Sequence, residues 1–278
     1  MRKIIDSNRL RSDELRSFLA ASSRNIAVLT DFVGMEAYKA DSLSTLYKSM
    51  EVLATFPRQV QILKGTAKVC AMSGRAAGLQ RRLIDEDQTS GFPDFVKHLE
   101  LARLGNEHLE KQLLENVESA RGHLDVQMLG DAATLGATFD TLAMEYSKEE
   151  RAILRRGDPY TPSMIRRLME TLLQLSVQSF RVAPGGLRMP IRGELPNTFI
   201  FRVSLCTYLL ALRGGVAGGL TNSAPAKIRN HMVDMVLAAY ATFFDGLLSA
   251  DTMLNDVHTE ARMMLGYCFN ADVPGIQK

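Results

Sequence analysis

The chain has 278 residues, 46% of them hydrophobic and 23% charged, with a formal net charge of +2. This is an ordinary globular mixture, enough for one large domain or two modest ones. The charge is too small to indicate nucleic acid by itself, and the apolar runs are too short to span a bilayer.

Ile4-Ile5 reads as a short strand that runs straight into Asp6-Ser7-Asn8. Arg11 to Ala21 reads as a helix with Ser12 as N-cap. Asn25 to Thr30 (NIAVLT) is an apolar run suited to a central parallel strand. DFVGMEAYKA then predicts a turn leading into a helix, and a second helix spans Ser42 to Ala54 until Pro57 stops it. RQVQILKG, residues 58 to 65, alternates and predicts a third strand.

From about Ala67 to Arg213 the pattern is helical. Asp94 to Ser119 predicts one long amphipathic helix. Asp131 to Tyr146 predicts another. Ser147 with Glu150 matches a capping box, and Thr161-Pro162 opens a helix through about Phe180. Residues 183 to 196 form a Pro/Gly-rich connection, and Asn197 to Arg213 a further helix. GGVAGGLTNSAP predicts a joint. It lacks the Lys-Ser/Thr of a phosphate-binding loop. Beyond it come an apolar helix from Ala226 to Tyr240, a strand within FFDGLL, and a helix from Thr252 to Leu265.

The three cysteines, Cys70, Cys206 and Cys268, form no CxxC pair, which argues against a disulfide framework or zinc knuckle. A reducing, cytoplasmic setting is the simplest expectation. An acidic residue follows the first two isoleucines, so no signal peptide is expected.

Ligands in open parallel sheets sit beyond the carboxyl ends of the strands. Asp6 follows the first strand, Glu36 comes shortly after the second, and Asp251 follows FFDGLL by two residues. Asp234 is the fourth acid. It lies among Met232, Val233, Met235, Val236 and Leu237, where a carboxylate is costly to bury without compensation. Four clustered carboxylates repel, and a divalent cation reverses that. Mg²⁺ prefers oxygen ligands, keeps several waters, and stabilises charge on a phosphodiester in transition. Taken singly, the acids read more simply. Asp6 would begin an Asp-x-Asn turn, Glu36 would favour a helix dipole, and Asp251 would cap the last helix.

IIDSNRL resembles the opening of PIN-domain nucleases, in which a strand ends in Asp, then Ser or Thr, then Asn. AVLTDFVGMEAY resembles the second segment of that family, and VDMVLAAYATFFDGLLSAD its closing segment. The resemblance covers roughly residues 1 to 65 and 226 to 270. It implies a three-layer α/β/α domain with a parallel sheet, residues 1–66 and 226–278, interrupted by an all-helical insertion at 67–225. It further implies Mg²⁺- or Mn²⁺-dependent cleavage of RNA, as in bacterial toxin ribonucleases. Asp6, Glu36, Asp234 and Asp251 match the acidic, metal-holding set. Asn8 and Ser249 match the polar residues that orient it, and Asp256 is an extra acid suited to an outer role. Lys64, Lys68 and Arg75 follow the third strand and are offered to RNA phosphates. The basic pairs Arg81-Arg82, Arg155-Arg156 and Arg166-Arg167 read as solvated faces. The insertion would face RNA or a protein partner such as an antitoxin, and no membrane role is expected. The rival readings are a structure-specific DNA nuclease of the same fold and a non-catalytic helical scaffold.

Overall fold

The computed structural model describes residues 1–38, 43–122, 141–142, 144–183, 186–216 and 224–276. Four strands form one parallel sheet: β1 (Arg2–Ile5), β2 (Ile26–Leu29), β3 (Val60–Ile62) and β4 (Gly246–Leu248). Their order is β3-β2-β1-β4, so the first strand is central and the last lies beside it. Ile4 pairs with Val28 on one side and Leu247 on the other, and Ile5 with Leu248. Ile4, Ile5, Ala27 and Val28 are fully buried. Strands buried on both faces need the continuous apolar runs seen here rather than alternation.

The helices follow in chain order as α1 (Asp13–Ala20), α2 (Asp31–Tyr38), α3 (Leu43–Thr55), α4 (Thr66–Cys70), α5 (Leu79–Leu83), α6 (Glu86–Arg103) and α7 (Glu107–Gly122). They continue as α8 (Lys148–Arg156), α9 (Pro162–Val182), α10 (Phe199–Val216), α11 (Pro225–Ala241) and α12 (Thr252–Tyr267). The chain is thus α/β and mostly helical. No described helix is long and apolar enough to cross a membrane.

Several ends are fixed by local chemistry. Ser12 caps α1 through Leu15 N, and Thr161 caps α9 through Met164 N, each satisfying an otherwise orphaned N–H. Ser147 and Glu150 form the full reciprocal capping box on α8, and Gly157 ends that helix at φ 71°.

Three expectations change. No turn precedes α2, because the helix begins at Asp31, whose Oδ1 accepts from Phe32 N at 3.1 Å. The single helix over Asp94 to Ser119 is two helices. They part at Gly105, whose φ of 98° favours a residue without a side chain. The first of the two starts early, at Glu86, capped by Asp85, and runs through Gly91 and Pro93. Residues 131–140 and 143 of the expected Asp131-to-Tyr146 helix and residues 217–223 of the expected joint fall outside the described residues, while Gly214, Gly215 and Val216 belong to α10.

The chain forms two compact units. The first comprises Met1–Val69, Gly78–Gln127 and Phe243–Thr252. The second comprises Cys70–Ala77, Met128–Thr242 and Met253–Lys278. Packing therefore draws its boundaries away from residues 66 and 226. Helices α5, α6 and α7 pack with the sheet, and α11 with the helical unit.

The second unit is organised around a buried cation. Arg202 is fully enclosed. It donates to the carbonyls of Pro196 (3.1 Å), Thr242 (2.9 Å) and Asp272 (2.7 Å), and to Asn197 Oδ1 at 3.1 Å. Burial pulls its pKa down to about 9, opposed by Asp272. A guanidinium stays charged there because neutral oxygens surround it.

His258 on α12 is also buried, and among the described residues its Nε2 has no hydrogen-bond partner. Burial, aided by Arg262, lowers its pKa to about 4, while a hydrogen bond to the Ala241 backbone opposes the shift. The unfolded chain therefore binds a proton on this ring at a pH where the folded chain does not. Its contribution is complete above the unfolded value near 6.5 and is lost as pH falls towards 4. Lowering pH from 7 to 5 is expected to cost about 2 kcal/mol through this residue. Urea denaturation at both pH values will show that loss in the wild type and a smaller one in His258→Gln.

Candidate functional site

The site begins with register. Because β1 and β4 run parallel and Ile5 faces Leu248, the residues just past each strand arrive at the same sheet edge. The ladder extends one step further, since Asp6 N donates to Leu248 O at 3.0 Å. Residues 6–8 and 249–251 are thereby neighbours despite a separation of more than 240 positions.

Asp6 is only 5% exposed. Its Oδ2 accepts from Ser249 Oγ at 2.5 Å and from Asn8 Nδ2 at 2.6 Å, and Ser7 Oγ lies 3.4 Å from Oδ1. Asn8 turns back as well, its Oδ1 accepting from Ala250 N at 3.0 Å. Ser249 Oγ in turn accepts from Asp251 N at 3.0 Å. A single hydroxyl thus joins the Asp6 carboxylate to the backbone that presents Asp251. Among the described residues no Lys, Arg or His forms an ion pair with Asp6, so neutral donors alone hold this buried carboxylate. Asp251 is exposed and directly precedes α12.

Glu36 lies on α2, half-buried, in the same compact unit as Asp6 and Asp251. Asp234 lies on α11 in the second unit, half-buried, with His231 Nδ1 at 3.8 Å from its Oδ2. Among the described residues, no three or more His, Cys, Asp or Glu side chains group so as to hold a metal ion. What the described geometry brings together is Asp6, Asn8, Ser249 and the backbone of Asp251.

The supporting candidates divide. Asp256 forms an ion pair with Arg213 (3.3 Å), which also binds Glu260 (2.7 Å). Lys64 donates to the Arg82 carbonyl at 2.9 Å, which ties β3's exit to α5. Lys68 is exposed on α4, and Arg75 is exposed in the second unit. One member of each basic pair is held by a surface acid: Arg81 by Glu86, Arg156 by Asp158 and Arg167 by Glu150. Asp245 marks a bend, its Oδ2 accepting from Arg2 N at 2.6 Å.

Two features of this edge carry no sequence motif. Asp31, first residue of α2, accepts from Thr66 N at 2.7 Å and Thr66 Oγ1 at 2.9 Å, which fixes the exits of β2 and β3 together. Beyond those exits lies a cavity of about 780 Å³, lined by side chains of the first unit. Two of its lining residues are glycines within helices, Gly34 on α2 and Gly91 on α6, and no sequence pattern marks the space between them.

Comparison of the chain with protein-family models, curated proteins and solved structures finds no match.

Ser249 and Asn8 share one acceptor, so their removal should be coupled. Ser249→Ala and Asn8→Ala are each expected to cost about 1–3 kcal/mol, the range for a buried group losing its partner. Chemical denaturation of both single variants and the double variant checks this; strictly additive losses would show that the two do not act on one carboxylate.

Proposed function

We propose that the chain is a PIN-type, metal-dependent endoribonuclease. The observation that carries this reading is the buried Asp6 carboxylate. It sits at the carboxyl edge of a parallel sheet, oriented by Asn8 and Ser249 and compensated by no cationic side chain among the described residues. A carboxylate held by neutral donors retains lone pairs for a further partner. The donor chemistry fits a hard divalent cation, because Mg²⁺ is commonly held by one or two carboxylates together with substrate phosphate. Asp6 and Asp251 would supply those carboxylates, with Glu36 of the same unit adding a third. When bound, Mg²⁺ or Mn²⁺ would supply a water of lowered pKa and neutralise charge on the scissile phosphate.

The residues themselves have separate tasks in this reading. Asn8 and Ser249 fix the rotamer of Asp6, so its outer lone pairs face the sheet edge. Ser249 also sets the backbone of Asp251. Lys68 and Arg75 are exposed and offered to the RNA backbone, where each contributes a salt-sensitive contact. Lys64 is already committed to a carbonyl and contributes through the fold. The three-layer PIN-like arrangement of the first unit belongs to the same proposal. Its supports are the strand order, with β1 central, and the meeting of residues 6–8 with 249–251.

The test uses purified full-length chain with labelled single-stranded RNA and DNA, in Mn²⁺ and in EDTA. Mn²⁺-dependent cleavage of RNA is expected, with Asp6→Asn and Asp251→Asn each reducing it at least a hundredfold, a loss of about 3 kcal/mol in transition-state stabilisation. Cleavage of DNA alone would move the substrate assignment. No cleavage of either polymer, with Mn²⁺ leaving the melting temperature unchanged, would remove the metal reading.

A further inference from the structure

The cavity at the exits of β2 and β3 has a composition that selects its occupant. Phe92, Phe95 and Met35 line it, with Asp31, Gln88 and Asn116 at its polar parts. The two rings are 5.7 Å apart between centroids and tilted by 37°. Among the described residues no Lys or Arg lines the cavity, and one wall carries a carboxylate, so an anion is disfavoured. A neutral group with apolar faces and a polar edge is favoured. The volume of about 780 Å³ lies in the range of pockets that enclose small organic ligands.

Two glycines supply the second observation. Gly34 lies within α2 and Gly91 within α6, and both line this cavity. Neither adopts a positive φ, and a Cβ built on either meets nothing within 4 Å. The fold thus requires glycine at neither place. After proline, glycine is the least favourable residue in a helix interior. Two helices carry it where it widens one and the same space, so the room itself is what these positions preserve.

From these observations we propose that the cavity seats one unpaired nucleobase of a bound RNA strand. The inference rests on the ribonuclease reading for the identity of the strand. A base has apolar faces for Phe95 and Met35 and an edge of donors and acceptors for Asp31, Gln88 and Asn116. Single-stranded RNA is recognised in this way, by splayed bases stacked on aromatic side chains. The location agrees. Asp6 follows β1, the cavity follows β2 and β3, and neighbouring strands lie about 5 Å apart. A base held there would anchor the strand beside the acidic edge.

The test is binding, measured in EDTA so that cleavage plays no part. The probes are a fluorescent RNA dodecamer and a series of the same dodecamer with one abasic position each. Gly91→Leu fills the cavity from a helix position remote from the acids, with melting temperature unchanged or raised. It is expected to weaken dodecamer binding about tenfold, the scale of one stacked base. One abasic position should weaken wild-type binding by a similar factor and leave Gly91→Leu binding unchanged. Phe95→Leu, which keeps apolar volume but removes the ring, should fall between the two proteins. Equal dodecamer affinity for wild type and Gly91→Leu overturns the proposal, even if the variant shifts the oligomeric state instead. Loss of binding by Gly91→Leu in a protein that never cleaves RNA upholds the base site and removes the nuclease reading. Cleavage that is intact together with unaltered binding does the reverse.

Discussion

A carboxylate buried at the end of the central strand is the constraint on which the rest of this edge depends. Asp6 cannot be hidden from water without donors, and its own neighbours supply only part of what it needs. Asn8 reaches back from two residues away, but the 2.5 Å hydrogen bond comes from Ser249, at the far end of the chain. The sheet therefore closes for two reasons at once. The apolar pairs Ile4 with Leu247 and Ile5 with Leu248 bury the strands, and the Asp6–Ser249 contact fixes their register at the exit. A shift of one residue would leave the carboxylate facing Leu248 or Ala250, neither of which has a side-chain donor.

The helical unit meets the same physical problem with the opposite sign. Arg202 is completely enclosed, and carbonyls and amide oxygens from three separate stretches converge on it. Both buried side chains are thus met by hydrogen-bonding groups of the protein. The two differ in what remains open. The acceptors that hold Arg202 converge on a fully buried side chain, as suits a structural lock. The Asp6 network lies at a strand exit, where ligand sites occur in parallel sheets. Next to it, Asp31, which lines the cavity, ties the β2 and β3 exits together through Thr66. Acid and cavity belong to one edge of one sheet, which is why a strand of nucleic acid can be read as meeting both.

Much of the local structure follows from residues near in sequence. The β-branched, apolar runs at Ile4-Ile5 and Ile26 to Leu29 have no other stable use than as buried strands. Ser12, Ser147 and Thr161 declare their helices because each side chain completes a backbone group three residues on. Asp6 and Ser249 were legible as a pair only through the order of segments, and the contact between them agrees. Other positions failed for physical reasons. The helix expected from Asp94 already begins at Glu86 and continues through Gly91 and Pro93. Gly105 takes a left-handed conformation, and that splits the long helix in two.

By itself the sequence determined the strands and most helix starts, because those depend on spacing and on groups a few residues apart. Only the tertiary structure decided which segments pack together. It joined α5, α6 and α7 to the sheet, set α11 with the helical unit, and opened a cavity between Gly34 and Gly91. Packing partners are chosen by the shape of whole faces, and the room left by a missing side chain exists only once another element stands opposite it.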